Sequence, residues 1–242
     1  MRINKNILIK RCQDFINSYH NSHGETDFSF YEKYLKFKFG IDEGYYGIKG
    51  NEIHIVIQGT DEKLEWKGHK SSNFNFLNKR VIRLSKNHAG RNRKIKVHPG
   101  FYEAFLTGKD YFLSLAQGKK YIFVTGHSRG AGIGTLAARD IQYHIDNIWK
   151  TNQKVVLITG GSPRVYNRAG AKEFDNCGII SYRLKYRNDP VSGVPLLLMG
   201  YRHIKGLIKL GKPFIFAPFP MPWDHEPIKY LEGMKKYKGI IV

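Results

Sequence analysis

Apolar residues recur at Ile7, Leu8, Cys12, Phe15 and Tyr19, the spacing of one helix face, so the first 20 residues are expected to form an amphipathic helix. An Asn/Ser/His/Gly loop and an aromatic segment from Phe28 to Phe39 follow, both read as packing elements. Tyr45 to Ile48 and Glu52 to Gln58 flank a Lys-Gly-Asn turn, which predicts a hairpin whose second strand, IHIVI, ends at Gly59-Thr60. Gly100 to Ala116 carries the aromatic and leucine spacing of a helix. The run Tyr121 to Thr125 predicts a strand, followed by a helix in which Ile133, Leu136, Ala137, Ile141, Ile145 and Ile148 share a face. VVLITGG from Val155 is another continuous apolar run, and Ile180 to Arg187 is a further strand candidate that ends in Asn188-Asp189-Pro190. Continuous apolar runs are what strands covered on both faces show, and their alternation with helices predicts an α/β fold with a central, mostly parallel sheet flanked by helices.

From Val194 to Trp223 the pattern breaks down into VPLLLM, IKGLIKLGK and PFIFAPFP. Prolines at 195, 213, 218, 220 and 222 forbid one long helix, and the segment is expected to be a loop-rich wall of the core rather than a lipid-contacting surface. With no repeat, low-complexity tract or linker, residues 1–242 read as one domain, and 41% hydrophobic and 14% aromatic content is ample for its core.

Charge changes the picture. Forty Lys and Arg against twenty Asp and Glu leave the chain at +20, which points to anionic membranes or polyanions as partners. The excess is concentrated: Trp66 to Tyr102 holds ten basic residues and no acidic one. Such a run reads equally as a solvated face or as an anion-binding surface. Cys12 and Cys177 are far apart and no His cluster accompanies them, so neither a metal nor a cofactor is expected. The N-terminal apolar stretch, Ile7 to Ile9, is too short for a signal peptide and no run of 18 apolar residues occurs, so a cytoplasmic protein, peripheral on membranes, is expected.

The candidate chemistry sits in YIFVTGHSRGAGIG, Tyr121 to Gly134, where an apolar strand stops at Gly-His-Ser-Arg-Gly and a small-residue helix begins. That is the layout of a nucleophile elbow, with Ser128 at the tip. A serine at this junction has a second reading, a plain helix cap. A nucleophile needs a base and a group to orient it, and Ser128, Asp189 and His225 follow the chain order Ser, Asp, His. His203 competes with His225, and Asp189 before proline is also a common turn residue. Two oxyanion donors are placed, the N–H of Arg129 and that of Thr60 at the earlier strand end.

The chain resembles the class 3, fungal-type lipases of the α/β-hydrolases from about Tyr45 to Tyr230, through IVIQGTDEKLEW, KVHPGFYEAF, VTGHSRGAG, TGGSPRVYN, RNDPVSGVP, and GYRH followed by WDHEPIKY. The resemblance implies an α/β-hydrolase fold and a serine-dependent hydrolase of lipid carboxylic esters, with Ser128 as nucleophile, Asp189 orienting, His225 as base, and Thr60 and Arg129 forming the oxyanion hole. It makes His203 a family histidine other than the base, and His127 a structural position. It also implies a lid over 66–77, where Trp66, Phe74, Phe76 and Leu77 would cover the acyl groove, with the adjoining basic run on an anionic membrane. Two residues depart from the pattern: Arg129 stands where the family has Leu, and Gln58 where it has Arg. A guanidinium at 129 is expected to select an anionic head group. The rival reading is a catalytically silent basic protein on this scaffold that docks on membranes or nucleic acid, the latter ranking below a lipid surface.

Overall fold

The computed structural model describes residues 3–19, 25–60, 95–213 and 221–241, with the backbone of 82–83. Helix α1 (Lys5–Asn17) opens on Asn4, whose side chain accepts the Ile7 N–H at 3.1 Å, and it turns Leu8, Cys12 and Phe15 into the core. Seven strands then form one sheet in chain order: β1 (Lys33–Phe39), β2 (Asp42–Lys49), β3 (Glu52–Ile57), β4 (Tyr121–His127), β5 (Lys154–Gly160), β6 (Ile180–Tyr186) and β7 (Leu207–Leu210). The first three pair antiparallel and the rest parallel, giving the mostly parallel sheet that the apolar runs predict.

Both faces are covered. Ile122 and Val124 of β4 and Val155 and Leu157 of β5 pack with α2 (Pro99–Ala116) and α3 (Arg129–His144), while Phe123, Val156 and Ile158 point oppositely, onto α1 and α5 (Pro227–Lys236). Period-two alternation between two apolar layers makes each strand read as an unbroken apolar run. A short helix α4 (Arg168–Asp175) and a small sheet of two-residue strands complete the described residues, in which no helix is long and apolar enough to cross a membrane.

Four expectations change. The aromatic segment contributes an edge strand, β1, whose alternation shows only at Phe37 and Phe39, the buried positions. Ile148 leaves the helical face and is 56% exposed, because residues 145–149 form a π-helical turn that rotates it out of phase. LIKL, read as a broken segment, is β7, set between Gly206 and Gly211, both at positive φ; a Cβ on Gly206 would lie 2.0 Å from the Ser181 carbonyl oxygen. The expected core wall also fails at Leu196, Leu197 and Leu198, which are 51%, 51% and 98% exposed on a 3₁₀ turn. The lid expected over 66–77, with Trp66, Phe74, Phe76 and Leu77, lies outside the described residues, as does most of the basic run.

Candidate active site

Strand β4 runs straight into the elbow. Ser128 takes φ 56° and ψ −126°, a conformation that non-glycine residues rarely hold, and its N–H donates to the Gly160 carbonyl at 3.0 Å. It occupies the N-cap position of α3, yet its side chain makes no capping bond, so the plain-cap reading fails. The flanking glycines are sterically required: a Cβ on Gly126 would lie 2.4 Å from the Gly130 carbonyl oxygen, and one on Gly130 would lie 2.2 Å from that of Ile57.

Beyond β6, Asp189 is buried, and its carboxylate collects donors from three directions. Oδ1 accepts the Val191 N–H at 2.8 Å; Oδ2 accepts His225 Nδ1 at 3.0 Å, Ser192 Oγ at 3.5 Å and the Tyr230 hydroxyl. Burial and the Asp189 charge push the Tyr230 phenol well above its ordinary range, which keeps it a donor. His225 lies in a 3₁₀ turn, its ring stacked on His127 at 4.5 Å. Its Nε2 is buried and has no hydrogen-bond partner among the described residues, Ser128 Oγ included. Serine, carboxylate and imidazole converge on Gly160-Gly161: the first accepts the Ser128 N–H, and a Cβ on the second would meet His225 Cε1 at 2.6 Å and Asp189 Oδ2 at 2.8 Å. No group of three or more His, Cys, Asp or Glu among the described residues is placed to hold a metal.

The two competing histidines differ in their partners. His203 binds the Ser192 carbonyl through Nε2 at 2.8 Å, and burial together with the Arg183 charge pushes its pKa down to about 3. The ring joined to Asp189 belongs to His225. Thr60 is half-buried one residue after Gly59, where a Cβ would meet Ser128 Cβ at 3.0 Å. The backbone of Thr60 therefore leaves the sheet beside the serine.

Arg129 corrects the head-group expectation. Its residue is 4% exposed, and its guanidinium forks onto Asp42, Nε to Oδ1 at 2.7 Å and Nη2 to Oδ2 at 3.0 Å. Turning it toward a lipid phosphate would leave Asp42 buried and unpaired, a loss of about 3–5 kcal/mol. Gln58 is also buried, with its amide nitrogen placed to donate to Glu43 Oε1 at 3.0 Å and to the Ser18 carbonyl at 2.7 Å.

Sequence reasoning missed Tyr230 and Ser192 on Asp189, Asp42 on Arg129, and Tyr19, whose hydroxyl lies 2.8 Å from His127 Nδ1. Tyr230 stands in the quoted WDHEPIKY and follows His225 by about one helical turn and a half, a spacing that could have flagged it. Ser192 is three residues from Asp189 in the quoted RNDPVSGVP and was likewise within reach, whereas Asp42 and Tyr19 are 87 and 108 residues from what they touch.

Residues 54–199 match the family described as Lipase (class 3). The secreted mono- and diacylglycerol lipase A of Penicillium cyclopium is 36% identical over 146 residues, covering 58% of this chain and 44% of that protein. The chloroplastic phospholipase A(1) DAD1 of Arabidopsis thaliana is 28% identical over 163 residues, 62% of this chain and 35% of that protein. The chain thus spans less than half the length of these curated relatives. The crystal structure of the mono- and diacylglycerol lipase from Aspergillus oryzae superposes with a TM-score of 0.63 at 22% identity, over 90% of this chain and 83% of that one, and shows the α/β-hydrolase fold.

Proposed function

Because the chain belongs to the class 3 lipase family, we propose that it is a serine-dependent hydrolase of lipid carboxylic esters, a lipase or phospholipase working peripherally at anionic membrane surfaces. The observation that carries this reading is the Asp189–His225 pair, 3.0 Å apart, beside a serine held at positive φ on a strand-to-helix turn. Asp189 fixes the imidazole with Nδ1 protonated, which leaves Nε2 as the base. His225 Nε2 takes the Ser128 hydroxyl proton as Oγ attacks the acyl carbonyl, and returns it to the leaving glyceride oxygen. The N–H groups of Thr60 and Arg129 hold the oxyanion. Water, deprotonated by the same nitrogen, then cleaves the acyl-enzyme and releases the fatty acid.

The membrane part rests on charge and on the exposed turn. Leu196, Leu197 and Leu198 project from a loop whose carbonyls are held by two arginines: Arg164 Nη1 on Gly193 and Pro195, the latter at 2.7 Å, and Arg202 Nη1 on Leu197 at 3.0 Å. An exposed apolar turn held by two arginines suits a leaflet of acidic lipids. Relatives named for glyceride hydrolysis and for phospholipase A(1) activity support both ester classes as substrates.

The test incubates the protein and its Ser128→Ala variant with anionic phospholipid vesicles, neutral phospholipid vesicles and a diacylglycerol emulsion, reading fatty acid and lysolipid by mass spectrometry. Release that vanishes in the variant, and is fastest on anionic vesicles, is expected. Release unaffected by the substitution, or vesicle binding without any release, overturns the hydrolase and favours the silent scaffold.

A further inference from the structure

We infer that the corner between β1 and β2 is a clamp for the oxyanion hole: Asp42 and Glu43 hold, from one backbone turn, the two chain segments that supply its N–H donors. The inference rests on the hydrolase reading and adds positioning residues to it. Asp42 grips the first residue of α3 through the two-point contact with Arg129, whose own N–H is one donor. Glu43 grips the end of β3: its carbonyl accepts the Gln58 N–H at 3.0 Å and its Oε1 faces the Gln58 amide nitrogen at 3.0 Å, two residues before Thr60. Asp42, Gln58 and Arg129 are 6%, 2% and 4% exposed, so water does not loosen these bonds.

The three segments are in contact without slack. A Cβ on Gly44 would lie 2.1 Å from the Val56 carbonyl oxygen, and one on Gly130 would lie 2.5 Å from that of Gln58. Close approach of the turn to β3, and of β3 to the start of α3, leaves the spacing of the donors set by the clamp. The two departures from the family pattern then become one exchange. The cation absent before Gly-Thr, where Gln58 stands, reappears at position 129 and reaches the same acidic corner. Oxyanion stabilisation requires both donors about 2.7–3.1 Å from the developing charge, so a shift of a few tenths of an ångström weakens it.

The experiment uses the full chain and a water-soluble short-chain ester, which removes membrane docking from the rate. Four forms are compared with wild type: Arg129→Lys, which keeps the charge and loses the fork; Glu43→Ala; Asp42→Asn; and the double variant Asp42→Leu with Arg129→Leu. The double variant leaves no buried charge unpaired, so it stays informative if Asp42→Asn does not fold. Read together are kcat, KM, the affinity for an alkyl trifluoromethyl ketone, which forms the tetrahedral adduct on the serine, and the thermal midpoint. Expected is a fall in kcat of roughly 10- to 100-fold, smaller than deletion of a donor produces, with KM within about twofold and ketone affinity falling in proportion. Lowered midpoints with kcat and ketone affinity unchanged, or full recovery of kcat in the double variant, make the pair a packing device and overturn the clamp. Wild type without Ser128-dependent turnover overturns the hydrolase reading and the clamp together.

Discussion

Ser128 keeps its strained backbone because its surroundings over-determine it: glycines at 59, 126 and 130 admit close approaches that a Cβ would block, and the Gly160 carbonyl holds its N–H. Histidines show a second effect of packing at this scale. Burial, with the charge of Arg129, pushes the pKa of His98 down to about 4, and burial with Arg183 pushes His203 to about 3, both below the ordinary 6.5. The folded forms therefore stay neutral while the unfolded chain takes up protons. Stability is complete above about pH 6.5 and is lost as pH falls toward about 4, each histidine contributing at most about 1.4 kcal/mol per pH unit. Urea midpoints measured from pH 7.5 to 4.5 should decline, and less steeply in His203→Gln; parallel declines would count against this assignment.

Among the elements, the loop after Asp189 divides its labour. Its first residues serve the carboxylate, with Val191 N–H and Ser192 Oγ donating to Asp189, and its later residues, Leu196 to Leu198, face outward. Leu198 is 98% exposed, so replacing it leaves the core untouched. Leu198→Asp is predicted to reduce hydrolysis of anionic vesicles by roughly tenfold, since a leucine entering a lipid surface contributes about 1.5–3 kcal/mol and a carboxylate there is repelled. Turnover of a soluble short-chain ester should stay at the wild-type rate. Equal losses on both substrates would show that the turn serves the site rather than the membrane.

Taken whole, the chain carries a net charge of +20, of which Arg11, Arg129, Arg139 and Arg183 are buried among the described residues and most of the other described basic residues are at least partly exposed. Each basic residue near an acidic leaflet contributes about 1 kcal/mol, and the Debye length shrinks from about 8 Å at 0.15 M salt to about 3 Å at 1 M. Binding to anionic vesicles, followed by sedimentation, is predicted to be strong at 0.05 M salt and lost by 1 M, while soluble-ester turnover changes little. Binding to neutral vesicles of equal strength at low salt would remove charge as the cause.

What the sequence determined by itself was whatever repeats or lies close along the chain. The apolar runs at β4 and β5, the helical faces of α1, α2 and α3, and the elbow around Ser128 follow from period and from local glycine placement. The order Ser128, Asp189, His225 was legible through the family resemblance, and the bond between Asp189 and His225 puts the latter two side by side. Tertiary structure alone decided the rest. The four-residue β7 is too short to show a period. Leu196 to Leu198 face outward although their composition fits a core. Arg129 turns inward because Asp42, 87 residues earlier, meets it there. A side chain's direction depends on partners that the fold brings from far along the chain, and no local pattern encodes where those partners stand.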